Sequence, residues 1–218
     1  DKKLDETVLC YERGEKMSVS VKGVTRWAMV GMLLVQVGCT DKLRKEGFDR
    51  ISVGVATRQA RADHWGLKAK VVLPVVEVRG KKKLTENLDL SLRGQFSAGK
   101  IKFMDELHGE ASWNFESLGL SLDYFPLKTR LLGGEIGMEV YRAEYDISGR
   151  LGSVRHQVSG QLWGGGVNLG LVGEIPLDQN DRWRFVWNAG YNLTTTHAEH
   201  ISADLDGWYA GASLEFRF

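Results

Sequence analysis

Three groups of residues in this chain have types and spacings that chemistry can use. His197-Ala-Glu199-His200, with Asp204 and Asp206 close behind, supplies imidazoles and carboxylates that suit a divalent metal. The competing reading is a polar loop in which nothing holds the two rings at ligand distance, and no metal is assigned. His156, Ser159 and Glu144 are the residue types of a Ser-His-acid acyl hydrolase. His156 and Ser159 have opposite parity on an extended strand, so the set works only if the strand is locally bulged. The competing reading is a polar loop base, and no catalytic residue or cofactor is assigned. The third group is dispersed: Asp89, Arg93, Asp123, Glu135, Glu139, Glu174, Arg184, Glu215 and Arg217 all fall on the polar side of alternating stretches. Charges taken out of water persist when paired, so a mixed-sign set predicts an internal salt-bridge network. Its functional alternative is a narrow ion pathway lined by the same groups. Gly164-Gly-Gly166 is not a phosphate loop, because no helix follows to receive an anion.

The elements that carry these residues have a period of two. Leu88, Leu90, Leu92 and Phe96 alternate with Asp89, Ser91, Arg93 and Gln95. Trp183, Phe185, Trp187, Ala189, Tyr191 and Leu193 alternate with polar or small residues, as do Trp208, Ala210, Ala212, Leu214, Phe216 and Phe218. Weaker runs bring the count to eight strands, about 48–58, 66–78, 87–97, 109–125, 130–145, 157–175, 182–194 and 206–218. Two of them change parity midway, near Glu116 and near Gly165, and a β-bulge at each would keep the apolar residues on one face. Pro126–Thr129 and Pro176–Asp181 are short links after even strands. The links 98–108, 146–156 and 195–205 are longer and follow odd strands, the asymmetry of a barrel with both termini on one side of a membrane. The first hairpins fit this asymmetry less well, because the link 59–65 is short and the basic link 79–86 is not, and Pro74 interrupts the second strand.

Composition agrees with a β protein: 26 Gly, 3 Pro and 21 aromatic residues in 218, with a formal net charge of +1. That balance excludes the basic field of a nucleic-acid binder. Cys10 and Cys39 both precede the region 47–218, so no disulfide framework is expected there. From Met17 the chain carries Lys22 and Arg26, then the apolar run Trp27–Gly38, too short to span a bilayer as a helix and of a length for a secretory signal. Gly38-Cys39 is similar to a lipoprotein signal site, which would make Cys39 the lipidated residue; ordinary cleavage nearby is the alternative. Residues 1–16 are expected to be translated leader or tail, 17–39 signal, 40–46 linker and 47–218 the folded domain.

Alternation alone does not say which face meets water. The polar face is unusually small (Ser52, Gly54, Ala56, Ser91, Gly119, Ser121, Gly137, Gly170, Gly190, Gly211 and Ser213), as a narrow eight-stranded interior requires. Trp65, Tyr124, Trp183, Trp208, Phe216 and Phe218 gather near strand ends, where headgroup-level girdles lie. The expectation is an all-β, antiparallel, up-and-down transmembrane β-barrel. Tyr209-Ala-Gly211-Ala-Ser-Leu214-Glu-Phe216-Arg-Phe218 resembles the C-terminal assembly signal of outer-membrane barrels, and 47–218 as a whole resembles the small barrels of the opacity-protein and outer-membrane protein A type. That resemblance implies an eight-stranded barrel inserted by the barrel-assembly machinery through Tyr209, Gly211, Leu214, Phe216 and Phe218. With the signal segment before it, the expectation is export through the periplasm and residence as a monomer among outer-membrane lipids and lipopolysaccharide. It carries no catalytic residues over. The expected role is envelope integrity or surface interaction through the loops, with a lipid acyl hydrolase or a small-solute pore as the alternative.

Overall fold

The computed structural model describes residues 7–10, 17–20, 47–64, 67–104, 108–151, 154–197, 202–204 and 206–218. Eight long strands dominate it: β1 (Arg50–His64), β2 (Leu67–Lys83), β3 (Leu88–Met104), β4 (His108–Tyr124), β5 (Gly133–Leu151), β6 (Val154–Pro176), β7 (Trp183–His197) and β8 (Gly207–Arg217). Each pairs antiparallel with its sequence neighbour, and β8 returns to β1 between Tyr209↔Arg58 and Arg217↔Arg50, which closes the sheet. Three short strands are added to it: Met17–Ser20 on β3, Thr7–Cys10 on Met17–Ser20, and Ser202–Asp204 on β1.

The registers set the size of the barrel. From Arg50 the pairing runs through Lys81, Ser91, Ser121, Gly137, Asn168 and Asn192 to Gly207. Gly207 is two residues before Tyr209, the partner of Arg58, so it stands level with position 60; the ladder closes ten residues beyond its start (60 against 50). Staggered closure of this kind tilts the strands by roughly 35–45°, and eight strands leave a bore that side chains fill.

One face of every strand points into that bore. Ser52, Ala56, Ser91, Ser121 and Ser213 are buried there, as the small-residue pattern predicts. The other face is apolar and exposed: Leu118, Leu120 and Leu122 on β4, Ile136, Met138 and Val140 on β5, Val167, Leu169 and Leu171 on β6. This inside-out arrangement defines the outward belt of a membrane barrel. Toward the C-terminus the belt ends in packed rings, Trp183 tilted against Phe216 at 4.8 Å and Phe216 edge-on to Phe218 at 5.9 Å. At its other edge Trp208 and Trp163 lie outward.

Three expectations are corrected. The β3–β4, β4–β5, β5–β6 and β6–β7 registers run without a break through Glu116 and Gly165, so neither bulge exists. Parity fails there because the bore itself turns apolar: Phe115 and Leu162 point inward and are buried, while Leu118 and Val167 point outward. The strands are also longer than expected, and the segments read as loops 98–108 and 146–156 are ladder up to Met104↔His108 and Leu151↔Val154. β6 runs for 23 residues, about twice the ~9–11 that cross hydrocarbon. Finally, the expected link 79–86 is a turn only from residue 84 on. β2 continues to Lys83 and turns Arg79 and Lys81 into the bore.

Candidate functional site

The interior is an ion-pair core in two storeys. The one nearer the termini centres on Glu174 of β6. Arg50 Nη1 donates to its carboxylate at 3.0 and 3.1 Å, Lys81 Nζ at 3.0 Å and Arg130 Nε at 2.8 Å, and Arg184 Nη1 donates to it as well. Glu215 lies 3.2 Å from Arg50 and 3.3 Å from Lys81. Asp89 accepts from Arg50 and Arg130, while Asp123 accepts from Ser91 at 2.9 Å and sits 3.5 Å from Lys81. Arg130 reaches this set from the β4–β5 turn. Its backbone has a φ of 55°, its guanidinium packs 3.9 Å from the Phe125 ring centre, and its carbonyl accepts from the Glu174 amide at 2.8 Å.

The second storey lies deeper. Arg79 donates to Glu77 at 2.6 Å and to Glu135 at 2.9 Å, and Arg93 donates to Glu135 at 3.1 Å and lies 3.5 Å from Glu139. Arg58 donates to Glu139 and to Gln95, and Gln95 donates to Glu77 at 2.7 Å. Asn168 donates to Glu135 at 2.7 Å. Gly170 and Gly190 face each other across β6–β7, and Tyr209 occupies the space their missing side chains leave. Above Arg58 the bore is apolar: its guanidinium lies 5.3 Å from the Phe115 ring centre and 6.0 Å from that of Tyr141, in a cluster with Ala56, Leu73 and Val75.

The charges balance. Arg50, Arg58, Arg79, Lys81, Arg93, Arg130 and Arg184 meet Glu77, Asp89, Asp123, Glu135, Glu139, Glu174 and Glu215, seven of each among the described residues. Of the sequence-derived network, Asp89, Arg93, Asp123, Glu135, Glu139, Glu174, Arg184 and Glu215 stand in this core. Arg217 does not. Its side chain is half exposed at the rim, 3.3 Å from Asp181. There the hydrogen bond from Arg184 holds the Asp181 carboxyl below the usual carboxylate range against the opposing effect of partial burial, with the charges of Arg184 and Arg217 adding to it.

Arg50, Arg58, Glu77, Arg79, Lys81 and Arg130 are the members that periodicity did not bring out. The first five carried a signal: Arg50 and Arg58 share the parity of Ser52, Gly54 and Ala56, and Glu77, Arg79 and Lys81 continue the parity of Val75. Arg130 carried none, because a turn has no period.

The other chemistry-bearing sets are not assembled. Glu144 accepts from Arg142 and, at 3.1 Å, from Gln161; on an unbulged β6, His156 and Ser159 remain positions of opposite parity. Asp206 accepts from the Thr194 hydroxyl at 3.0 Å and from its amide. Glu199 and His200 of the metal candidate, Cys39 and Trp65 lie outside the described residues. Among the described residues no group of three metal-ligating side chains converges.

No protein-family model matches the sequence, and no curated protein does. Solved structures do. OprG, an outer membrane protein of Pseudomonas aeruginosa, is similar over 79% of this chain and 96% of its own, at 15% identity and a TM-score of 0.50. Ail, the attachment invasion locus protein of Yersinia pestis, covers 78% of this chain and 99% of its own at 15% identity and a TM-score of 0.43. Neisserial surface protein A covers 77% and 97% at 14% identity and a TM-score of 0.39. The shared feature is the fold, that of small outer-membrane β-barrels.

Proposed function

We propose that this chain is a non-enzymatic outer-membrane β-barrel of a Gram-negative envelope, closed along its axis by its own ion pairs and serving envelope integrity or surface interaction through the hairpin end. The observation that carries this reading is the balanced core of seven cations and seven carboxylates beneath an outward apolar belt. A conducting pore needs side chains that water and ions can reach. Here Lys81, Asp89, Asp123 and Glu174 are essentially inaccessible, each neutralised by an opposite charge.

The C-terminal strand, with Tyr209 and Gly211 inward and Leu214, Phe216 and Phe218 outside the bore, fits recognition by the barrel-assembly machinery during insertion. The apolar belt fits contact with outer-membrane lipids and lipopolysaccharide. Planar-bilayer recording of the purified protein tests closure. The expected result is no steady conductance at neutral pH, and a stable ohmic step in single insertions would overturn it.

A further inference from the structure

The β2–β3 ladder is the shortest in the barrel wall among the described pairings. The β2–β3 ladder contains eight residue pairs, from Val76↔Phe96 to Lys83↔Asp89, whereas the flanking β1–β2 and β3–β4 ladders contain fifteen and seventeen. Both strands continue past the break, as Leu67–Val75 and Ser97–Met104, each held there by its other barrel neighbour.

Pro74 explains where the ladder stops. In a β-strand the N–H and C=O of one residue project to the same side. Ser97 Oγ donates to the Pro74 carbonyl at 2.6 Å, so Pro74 turns its polar side to β3, where its ring nitrogen has no hydrogen to give. Trp113 Nε1 donates to Ser97 Oγ at 3.3 Å, and the indole covers Gly99. The last joined residue of β3, Phe96, starts the row Phe96, Glu116, Arg142, Trp163. Glu116 and Arg142 in this row are exposed charges, so the outer face turns polar there. The tilt of the strands puts Phe96 at the lower end of the row, and Lys100 and Lys102, further along β3 at positions of the same outward parity, carry the polar face on toward water.

An unpaired strand edge in water is a template for another strand. The chain's own Met17–Ser20 is seated on it, with Ser18↔Lys102, Val19↔Ile101 and Ser20↔Lys100. Lysines occupy positions 100 and 102 of the β3 edge and 68 and 70 of the β2 edge. Lysine-rich edges oppose pairing with their own copies and favour a strand that brings carboxylates.

We propose that the outer half of the β2–β3 seam is an acceptor site for an extended acidic polypeptide segment of a partner outside the cell, added as a strand against Lys100–Lys102. The proposal rests on the outer-membrane reading above. Met17–Ser20 belongs to the segment read as an export signal, and its removal leaves the edge to the partner.

The test uses protein purified from outer membranes and a short fluorescent peptide alternating Glu and Val, with a Lys–Val peptide as its counterpart, followed by anisotropy. Saturable binding of the acidic peptide is expected, weakened about tenfold or more by Lys100→Glu with Lys102→Glu. Pro74→Val restores the missing N–H, lets the ladder extend, and is expected to weaken binding without any change of charge. Equal binding of both peptides, no binding, or binding unchanged in both variants would overturn the proposal. So would a crosslink showing Met17–Ser20 still on the edge in the purified protein. Heat-modifiable gel migration, read on every sample, separates the two levels: a folded band without peptide binding sinks the acceptor site alone, and no folded band sinks the barrel reading beneath it.

Discussion

At the scale of single residues, the interior divides into groups whose loss is costly and groups whose loss is not. Glu174 pairs with Arg50, Lys81, Arg130 and Arg184 at once. Removing one partner of a buried pair costs about 3–5 kcal/mol, and here it leaves seven buried cations to six carboxylates, an excess charge that water does not reach. Glu174→Gln is therefore expected to lower the stability of the refolded barrel by that order in urea titration in lipid vesicles. Asp181, at the rim, is a contrast. Its folded carboxyl titrates below its ordinary value, so its contribution is complete above about pH 4, the unfolded Asp value, and is lost as pH falls through the lowered folded value. Asp181→Asn is expected to leave stability at pH 7 nearly unchanged, as for other solvent-screened pairs, and to flatten the acid limb. Equal losses at neutral pH for the two variants would refute the division.

At the scale of elements, long strands with unbroken register do the positioning, and small residues let them approach. Gly170 and Gly190 are the sharpest case. A Cβ at Gly190 would lie 2.6 Å from the Tyr209 hydroxyl and 2.6 Å from Gly170 Cα, and one at Gly170 would lie 2.7 Å from the Ala189 carbonyl oxygen. Gly170→Val must then either expel Tyr209 from the bore or spread β6 from β7. Overpacking of this kind typically costs 1–3 kcal/mol, roughly, and more where backbone blocks relaxation. We expect slower insertion into vesicles and a larger stability loss than for Gly134→Val, a position with nothing within 4 Å of the added Cβ; the folded fraction on a gel measures both. Parity was a reliable guide to these elements where the bore is ionic and the outside apolar. It failed at Phe115 and Leu162, where the bore is apolar while Asn114, Glu116 and Gln161 stand exposed on the outer face, so the contrast between the faces reverses.

At the scale of the molecule, closure removes the sheet edges that an open eight-stranded sheet would expose, and the β2–β3 seam is one place where pairing stops short of the strand ends. A closed, inside-out barrel resists detergent unfolding until heated. The chain is accordingly expected in the outer-membrane fraction, with a boiled sample migrating differently from an unboiled one. Recovery in the soluble fraction would remove the membrane assignment. The same test applied to Glu174→Gln should show the folded band lost at a lower temperature.

The amino-acid sequence by itself determined that the chain forms an eight-stranded barrel with its apolar face outward, because a period of two and a polar face of Gly and Ser are local properties that survive without coordinates. It also marked most of the anions in the core, since Asp89, Asp123, Glu135, Glu139, Glu174 and Glu215 fall on the polar side of alternating stretches. Most of the cations were decided only by the tertiary structure. Arg79 and Lys81 read as a basic loop until β2 was seen to continue, Arg130 enters from a turn without period, and Arg217, on the same parity as Glu215, stops at the rim with Asp181. Parity specifies a face, but whether a charge is buried depends on how far along the tilted strand it sits, and that depends on the register with seven other strands.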